Sequence, residues 1–162
     1  MRHIISLLME NEAGALSRVA GLFSARGYNI ESLTVAPTDD PTLSRMTLVT
    51  RGNEAIIEQI IKQLNKLIDV VKLLDLTEHK HIEREMMLVK VSVDGARDHV
   101  KHIADIFHGR VLDVTQLAYV VEVTGNSEKL DAFLDALQPV PILEVVRSGA
   151  MGIAAGDISL KI

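Results

Sequence analysis

Met87-Leu-Val-Lys-Val-Ser-Val-Asp-Gly-Ala-Arg-Asp-His-Val-Lys-His-Ile-Ala-Asp-Ile-Phe-His-Gly109 changes period half-way along. Met87, Val89, Val91 and Val93 alternate with Leu88, Lys90 and Ser92, the spacing of a strand with one covered face. From Val100 the repeat lengthens. Val100, Ile103, Ala104 and Phe107 fall at i, i+3, i+4 and i+7, one apolar stripe of a helix laid on a sheet. Gly109 follows the stripe where a left-handed cap is wanted. The same helical spacing recurs in Leu16, Val19, Ala20 and Phe23, in Ile57, Ile60, Ile61 and Leu64, and in Leu130, Phe133, Leu134 and Leu137. Gly27 closes the first of these, and Asn53 and Asn126 or Ser127 offer N-caps to the others.

Strand-like runs lie between the helices, at about Ile4–Met9, Asn29–Ala36, Arg45–Thr50, Val70–Leu76, Arg110–Thr115, Tyr119–Thr124 and Ile142–Arg147. The order is therefore β-α-β-β-α-β, written twice: an α+β chain of two tandem ferredoxin-like units. A right-handed crossover puts the first and third strands of each unit side by side. Thr77-Glu-His-Lys-His81 breaks the apolar pattern, which places the boundary between a first domain at 1–78 and a second at 79–162. Each unit is about 80 residues, small for a lone core. Apolar residues such as Leu33, Val35 and Leu48 are expected on the uncovered sheet faces, where they or the sheet edges await a partner chain.

Composition excludes several classes of function. No cysteine means no disulfide, no thiolate metal site and no cysteine nucleophile. Lys and Arg number 17 against 22 Asp and Glu, a net charge of −5 that argues against a general nucleic-acid binder. Aromatics are 3% with no Trp, which leaves few platforms for stacking bases. The first apolar run is too short for a signal peptide, and no stretch approaches a membrane span. A cytoplasmic protein is expected.

One loop has binding chemistry. Glu10-Asn11-Glu12-Ala13-Gly14-Ala15-Leu16-Ser17 joins the first strand to the first helix and puts Gly14 at a helix start. About four backbone N–H groups lack intrahelical partners there, and the dipole adds roughly half a positive charge, so a carboxylate fits. Gly14 allows close approach, and Asn11 offers both a donor and an acceptor to a zwitterion. The same residues would equally serve as a plain cap and turn. Asn29, at the start of the second strand, could face a ligand or complete a turn. The second repeat carries Asp94-Gly95-Ala96-Arg97 at the equivalent loop, and Arg110-Val111 where Asn29-Ile30 stood, so the fold is duplicated but the polar loop is not.

The run Asn11-Glu-Ala-Gly14-Ala-Leu-Ser-Arg-Val19, then Arg26-Gly-Tyr-Asn29-Ile-Glu-Ser-Leu-Thr34-Val-Ala-Pro-Thr-Asp-Asp-Pro-Thr42-Leu-Ser-Arg-Met46, closely resembles the regulatory (small) subunits of bacterial acetolactate synthase. The resemblance spans the whole chain and is tightest through about residue 50. It implies an N-terminal ACT domain that binds an amino acid at a dimer interface, and a C-terminal ACT-like domain similar to the ligand-binding half of nickel-responsive regulators. It implies a non-catalytic subunit that activates a catalytic subunit and confers feedback inhibition by valine in branched-chain amino acid biosynthesis. Thiamine diphosphate, magnesium and FAD would then belong to the catalytic subunit, with no cofactor on this chain. Carried over residue by residue, Asn11 and the amides of Gly14 and Ala15 would hold valine. Asn29 and Ile30 of a neighbouring protomer would close the pocket, with Ile30, Leu33 and Val35 as its apolar wall.

Other candidates carry less. His99 and His102, with His108 further on, could share a face for a metal but have no recognisable third ligand. His79-Lys80-His81 reads as a solvated linker, and Asp39-Asp40 between Pro37 and Pro41 as a turn. Ser17 and Ser44 have no His–Asp companion nearby in sequence, and Met86-Met87 reads as strand core. The alternative to a regulatory subunit is a free-standing amino-acid or metal sensor, for which no DNA-contacting segment is left over.

Overall fold

In the computed structural model, which describes residues 1–162, helices α2 and α4 begin where a side chain supplies a missing backbone partner. Asn53 accepts from the Ile56 amide at 2.9 Å to open α2 (Glu54–Asn65). Asn126 does the same for Lys129, also at 2.9 Å, to open α4 (Ser127–Ala136). Helix α1 (Ala15–Arg26) ends on the left-handed Gly27, whose amide returns to the last turn. Helix α3 (Arg97–Ile106) ends differently from expectation. The positive φ, 55°, belongs to His108. Gly109 is needed instead for space, because a Cβ there would lie 2.9 Å from the Glu122 carbonyl oxygen.

Strands β1 (Arg2–Glu10), β2 (Ile30–Pro37), β3 (Leu43–Arg51) and β4 (Val70–Asp75) pair in the antiparallel order β2-β3-β1-β4. Helices α1 and α2 cover one face. Ile5, Leu7 and Met9 of β1 pack there with Met46 and Leu48 of β3, Val19 and Phe23 of α1, and Ile57, Ile60 and Leu64 of α2. Each such side chain contributes about 1.5–3 kcal/mol of burial. The stripe of α1 is rotated from expectation: Ala15, Val19 and Phe23 are buried, while Leu16 is 43% exposed. Two overlapping stripes are possible in this helix, and the one chosen turns Leu22 rather than Ala20 toward the core.

The expectation for the open sheet face needs correction. Leu33 stands opposite Leu48 and Val35 opposite Met46. Directly opposed residues share a face, and Leu48 and Met46 lie in the helix-side core. Leu33, Val35 and Leu48 therefore face the helices. The other face carries Ile4 and Val49, joined by Leu76 of a 3-10 turn (Leu76–Glu78) and by Ala150. Part of its cover is the chain's own end. The Thr34 hydroxyl donates to the Ala150 carbonyl at 3.3 Å and Arg45 to the Gly152 carbonyl at 2.9 Å. At Gly152 a Cβ would meet Leu76 Cδ1 at 2.7 Å and Ile4 Cδ1 at 3.1 Å, so a larger residue there would have to displace those side-chain ends.

The chain divides into two compact units, 1–83 with 150–162, and 84–149. Residues 79–83 and 150–162, expected in the second domain, thus pack with the first. The second unit repeats the topology. Strands β5 (His81–Ser92, whose first three residues fall in the first unit), β6 (Arg110–Val114), β7 (Ala118–Gly125) and β8 (Ile142–Arg147) run in the order β6-β7-β5-β8. A short strand β9 (Met151–Ala154), which belongs to the first unit, pairs with β5. Met87, Val89 and Val91 pack against Val100, Ala104, Leu130 and Phe133. Phe107 and Phe133 meet edge to face at 5.4 Å. Met86, by contrast with its buried neighbour Met87, is 44% exposed.

Candidate functional site

The loop after β1 is built by backbone bonds from two neighbouring segments. The Glu10 amide donates to the Asp69 carbonyl at 2.9 Å and the Asn11 amide to the Thr42 carbonyl at 2.8 Å. The Asn11 side chain spends one N–H on the Pro41 carbonyl, at 3.0 Å, so its role toward a ligand falls mainly on its oxygen. Gly14 is the residue before α1, at φ 87° and ψ −10°, and no side chain caps that helix. This contrasts with α2 and α4, whose asparagines fill the corresponding place. Asn11 and Gly14 are exposed; Ala15 is buried, its amide already turned to the Glu12 carbonyl at 3.3 Å.

Asn29 and Ile30 lie elsewhere. Ile30 pairs with Thr50, which pairs with His3 at the start of β1, whereas Glu10 at the end of β1 pairs with Leu43. Seven residues of strand separate the two ends, about 23 Å at roughly 3.3 Å per residue. Within one chain the Gly14 loop and Asn29 therefore sit at opposite ends of the sheet. Asn29 is exposed, and its carbonyl accepts from the Thr50 hydroxyl at 2.6 Å. Ile30 and Leu33 pack partly into the helix-side core, while Val35 is 38% exposed on the same face.

Two residues at the loop were missed by the reading of the sequence. The Arg18 guanidinium donates through Nε to Asp69 Oδ2, through Nη2 to Asp69 Oδ1 at 3.0 Å, and reaches the Ala13 carbonyl at 3.5 Å. The bond to Asp69 raises the Arg18 pKa, and the bond from Arg18 lowers that of Asp69. Nothing local marks the pair, since 51 residues separate its members.

Two groups bring ligating atoms within 4.8 Å of one another: Glu10, Glu12 and Asp69, and His3, Asp75 and Glu78. In the first, Asp69 already holds the Arg18 cation. In the second, which lines a cavity of about 420 Å³ beside α2, His3 Nδ1 faces Asp75 Oδ2 at 3.1 Å. His99 and His102 are exposed on α3 and His108 ends it, so neither group draws on them. Asp40 accepts from the Thr42 amide and hydroxyl, at 2.9 and 2.7 Å, which lowers its pKa and makes the Asp39-Asp40 segment a turn. His81 is no solvated linker: its ring contacts Glu83 at 2.8 Å and the His79 carbonyl at 2.9 Å. No helix is long and apolar enough to cross a membrane.

Comparison with known proteins assigns the whole of this architecture to one family. Residues 5–72 match the family described as AHAS small subunit-like ACT domain, and residues 84–156 the family described as small subunit of acetolactate synthase. The acetolactate synthase isozyme 3 small subunits of Salmonella typhimurium and Escherichia coli are each 58% identical over 97% of this chain and 98% of their own length. The crystal structure of the acetolactate synthase small subunit from Thermotoga maritima superposes with a TM-score of 0.89 at 35% identity, covering 98% of this chain and 99% of that one. This chain belongs to the acetolactate synthase small-subunit family.

Proposed function

We propose that this chain is the regulatory subunit of a cytoplasmic acetolactate synthase, activating a catalytic subunit and making it sensitive to valine in branched-chain amino acid biosynthesis. Thiamine diphosphate, magnesium and FAD reside on that partner. The observation that carries the effector site is the separation of its halves. Gly14 and Asn11 stand at one end of the first sheet and Asn29 at the other, while β2, which carries Asn29's end, is an edge strand. Two copies pairing antiparallel along β2 exchange ends, which carries Asn29 and Ile30 of one copy toward the Gly14 loop of the other. A homodimer is thus the form in which the pocket closes, and its occupancy biases how the two copies sit. The uncapped start of α1 receives the carboxylate, and Asn11 Oδ1 receives the ammonium. Val35, on the helix side of β2, faces the ligand's methyl groups, while Leu33 supports it from the core.

A ligand of valine's size binds with about −4 to −6.5 kcal/mol, or about millimolar to tens of micromolar. That is enough for partial rather than complete inhibition. The test is co-purification with the catalytic chain, followed by activity titration with valine, leucine and isoleucine. Stimulation by this chain, reversed in part by valine, is the expected result. A chain that neither co-purifies nor alters the activity is instead a free-standing sensor.

A further inference from the structure

The side chain of Arg18 does more than pair with an acid. It leaves the first turn of α1, crosses the loop and ends against Gly14: a Cβ built on Gly14 would lie 2.8 Å from Arg18 Nη1 and 3.5 Å from Cζ. Its anchor, Asp69, is 3% exposed. Asp69 grips the loop twice, accepting the Glu10 amide on its carbonyl and the guanidinium fork on its carboxylate. Arg18 in turn reaches the Ala13 carbonyl, and its own amide donates to the Gly14 carbonyl at 2.9 Å. The segment from Glu10 to Arg18 is therefore closed into a ring through one residue, Asp69, just before β4. Charge reinforces the closure. Carboxylates of Glu10, Glu12 and Asp69 cluster within 4.8 Å, and Arg18 is the cation tied into them.

We propose that Arg18, locked to Asp69, is the positioning residue of the effector site: it fixes the backbone of Ala13–Ala15 in the shape that binds the amino acid, without itself touching the ligand. This rests on the effector reading above. Loss of the guanidinium leaves a buried carboxylate beside two others and frees the loop to open, so effector affinity falls because the binding shape must be reassembled on binding. A forked, charge-assisted pair is required, which lysine does not reproduce.

The experiment measures valine binding to the full-length protein by calorimetry, alongside thermal melting, for wild type, Arg18→Gln, Arg18→Lys, Asp69→Asn and the double variant Arg18→Gln/Asp69→Asn. Arg18→Gln and Asp69→Asn are expected to weaken valine about tenfold or more, Arg18→Lys less so. The double variant is expected to be no worse than either single one, as partners in one interaction behave. Ile57→Val, in the core of the same unit and beside His3 and Asp75 at the opposite end of β1 from the loop, is expected to lower the melting temperature and leave valine affinity unchanged. Affinities within twofold of wild type in folded Arg18→Gln and Asp69→Asn overturn the positioning role. So does an equal loss in Ile57→Val, which makes the effect one of general stability. A wild type that binds no valine overturns the effector reading itself and this role with it.

Discussion

Gly14 holds φ at 87° between a loop and a helix, with the Arg18 guanidinium where its side chain would be. An L residue in the left-handed region costs about 1–2 kcal/mol, and a methyl group there also presses on the Arg18 guanidinium that Asp69 holds. Gly14→Ala should therefore lose at least about 1–2 kcal/mol in urea unfolding, the backbone's share alone. Gly14→Asp adds a fourth carboxylate beside Glu10, Glu12 and Asp69 and displaces Arg18. Calorimetry on that variant should show no valine binding, and an unchanged heat of binding would remove Gly14 from the site. Gly14 and Asn11 can be picked out by eye, because a glycine at a strand-to-helix junction beside a polar residue is a local pattern, even though a plain cap and turn shares it. Asp69 cannot: its importance exists only once the start of β4 lies beside the end of β1, a long-range pairing that no local pattern encodes.

Arg2 opens β1 and His81 opens β5, and Glu83 joins them, taking the Arg2 fork at 2.7 and 3.2 Å and the His81 ring at 2.8 Å. Burial alone would lower the His81 pKa, but acceptors on both ring nitrogens, the His79 carbonyl and Glu83, outweigh it and raise the pKa above 6.5. A histidine whose folded pKa is raised stabilises the fold fully below its unfolded value, about 6.5, and that contribution disappears as pH rises through the folded value. Melting curves of wild type and His81→Gln should thus differ most below about pH 6.5 and draw together as pH rises above it; a constant gap would deny the linkage. Elements differ in how openly the sequence declares them. α2 and α4 carry one apolar stripe each behind an asparagine, so the buried face was legible, and at α4 the structure chooses Asn126 over Ser127 as the cap. α1 carries two overlapping stripes, and packing of Leu22 decides between them. Leu33 alternates like any half-buried strand residue, so its face waits on the register with Leu48. β9, four residues long, is too short for a period to show.

At the scale of the molecule, the end of the chain belongs to the beginning. Residues 150–162 complete the first unit, where the Ala155 amide meets the Lys80 carbonyl at 2.8 Å and Lys72 Nζ meets the Lys161 carbonyl at 3.0 Å. The second unit closes on itself in the same manner: Glu85 accepts the Gly149 amide at 2.9 Å, and the Ser148 amide meets the Met86 carbonyl at 3.0 Å. Residues 84–149 are thus an insertion whose two ends are held together, the arrangement that tolerates excision. A chain cut after Leu76, or even after Glu83, loses the segment lying on Ile4, Val49 and Leu76 and bares part of an apolar face. Uncovering these side chains costs about 3 kcal/mol, a fall in melting temperature of about 10–20 °C for a unit this small. Replacing 84–149 by a short Gly-Ser linker keeps the strap on its sheet, so that variant should melt well above residues 1–83 alone and bind less of a hydrophobic dye. Equal melting of the two would mean that the terminal strap adds nothing to the first unit, and that its cover on Ile4 and Leu76 is incidental to stability.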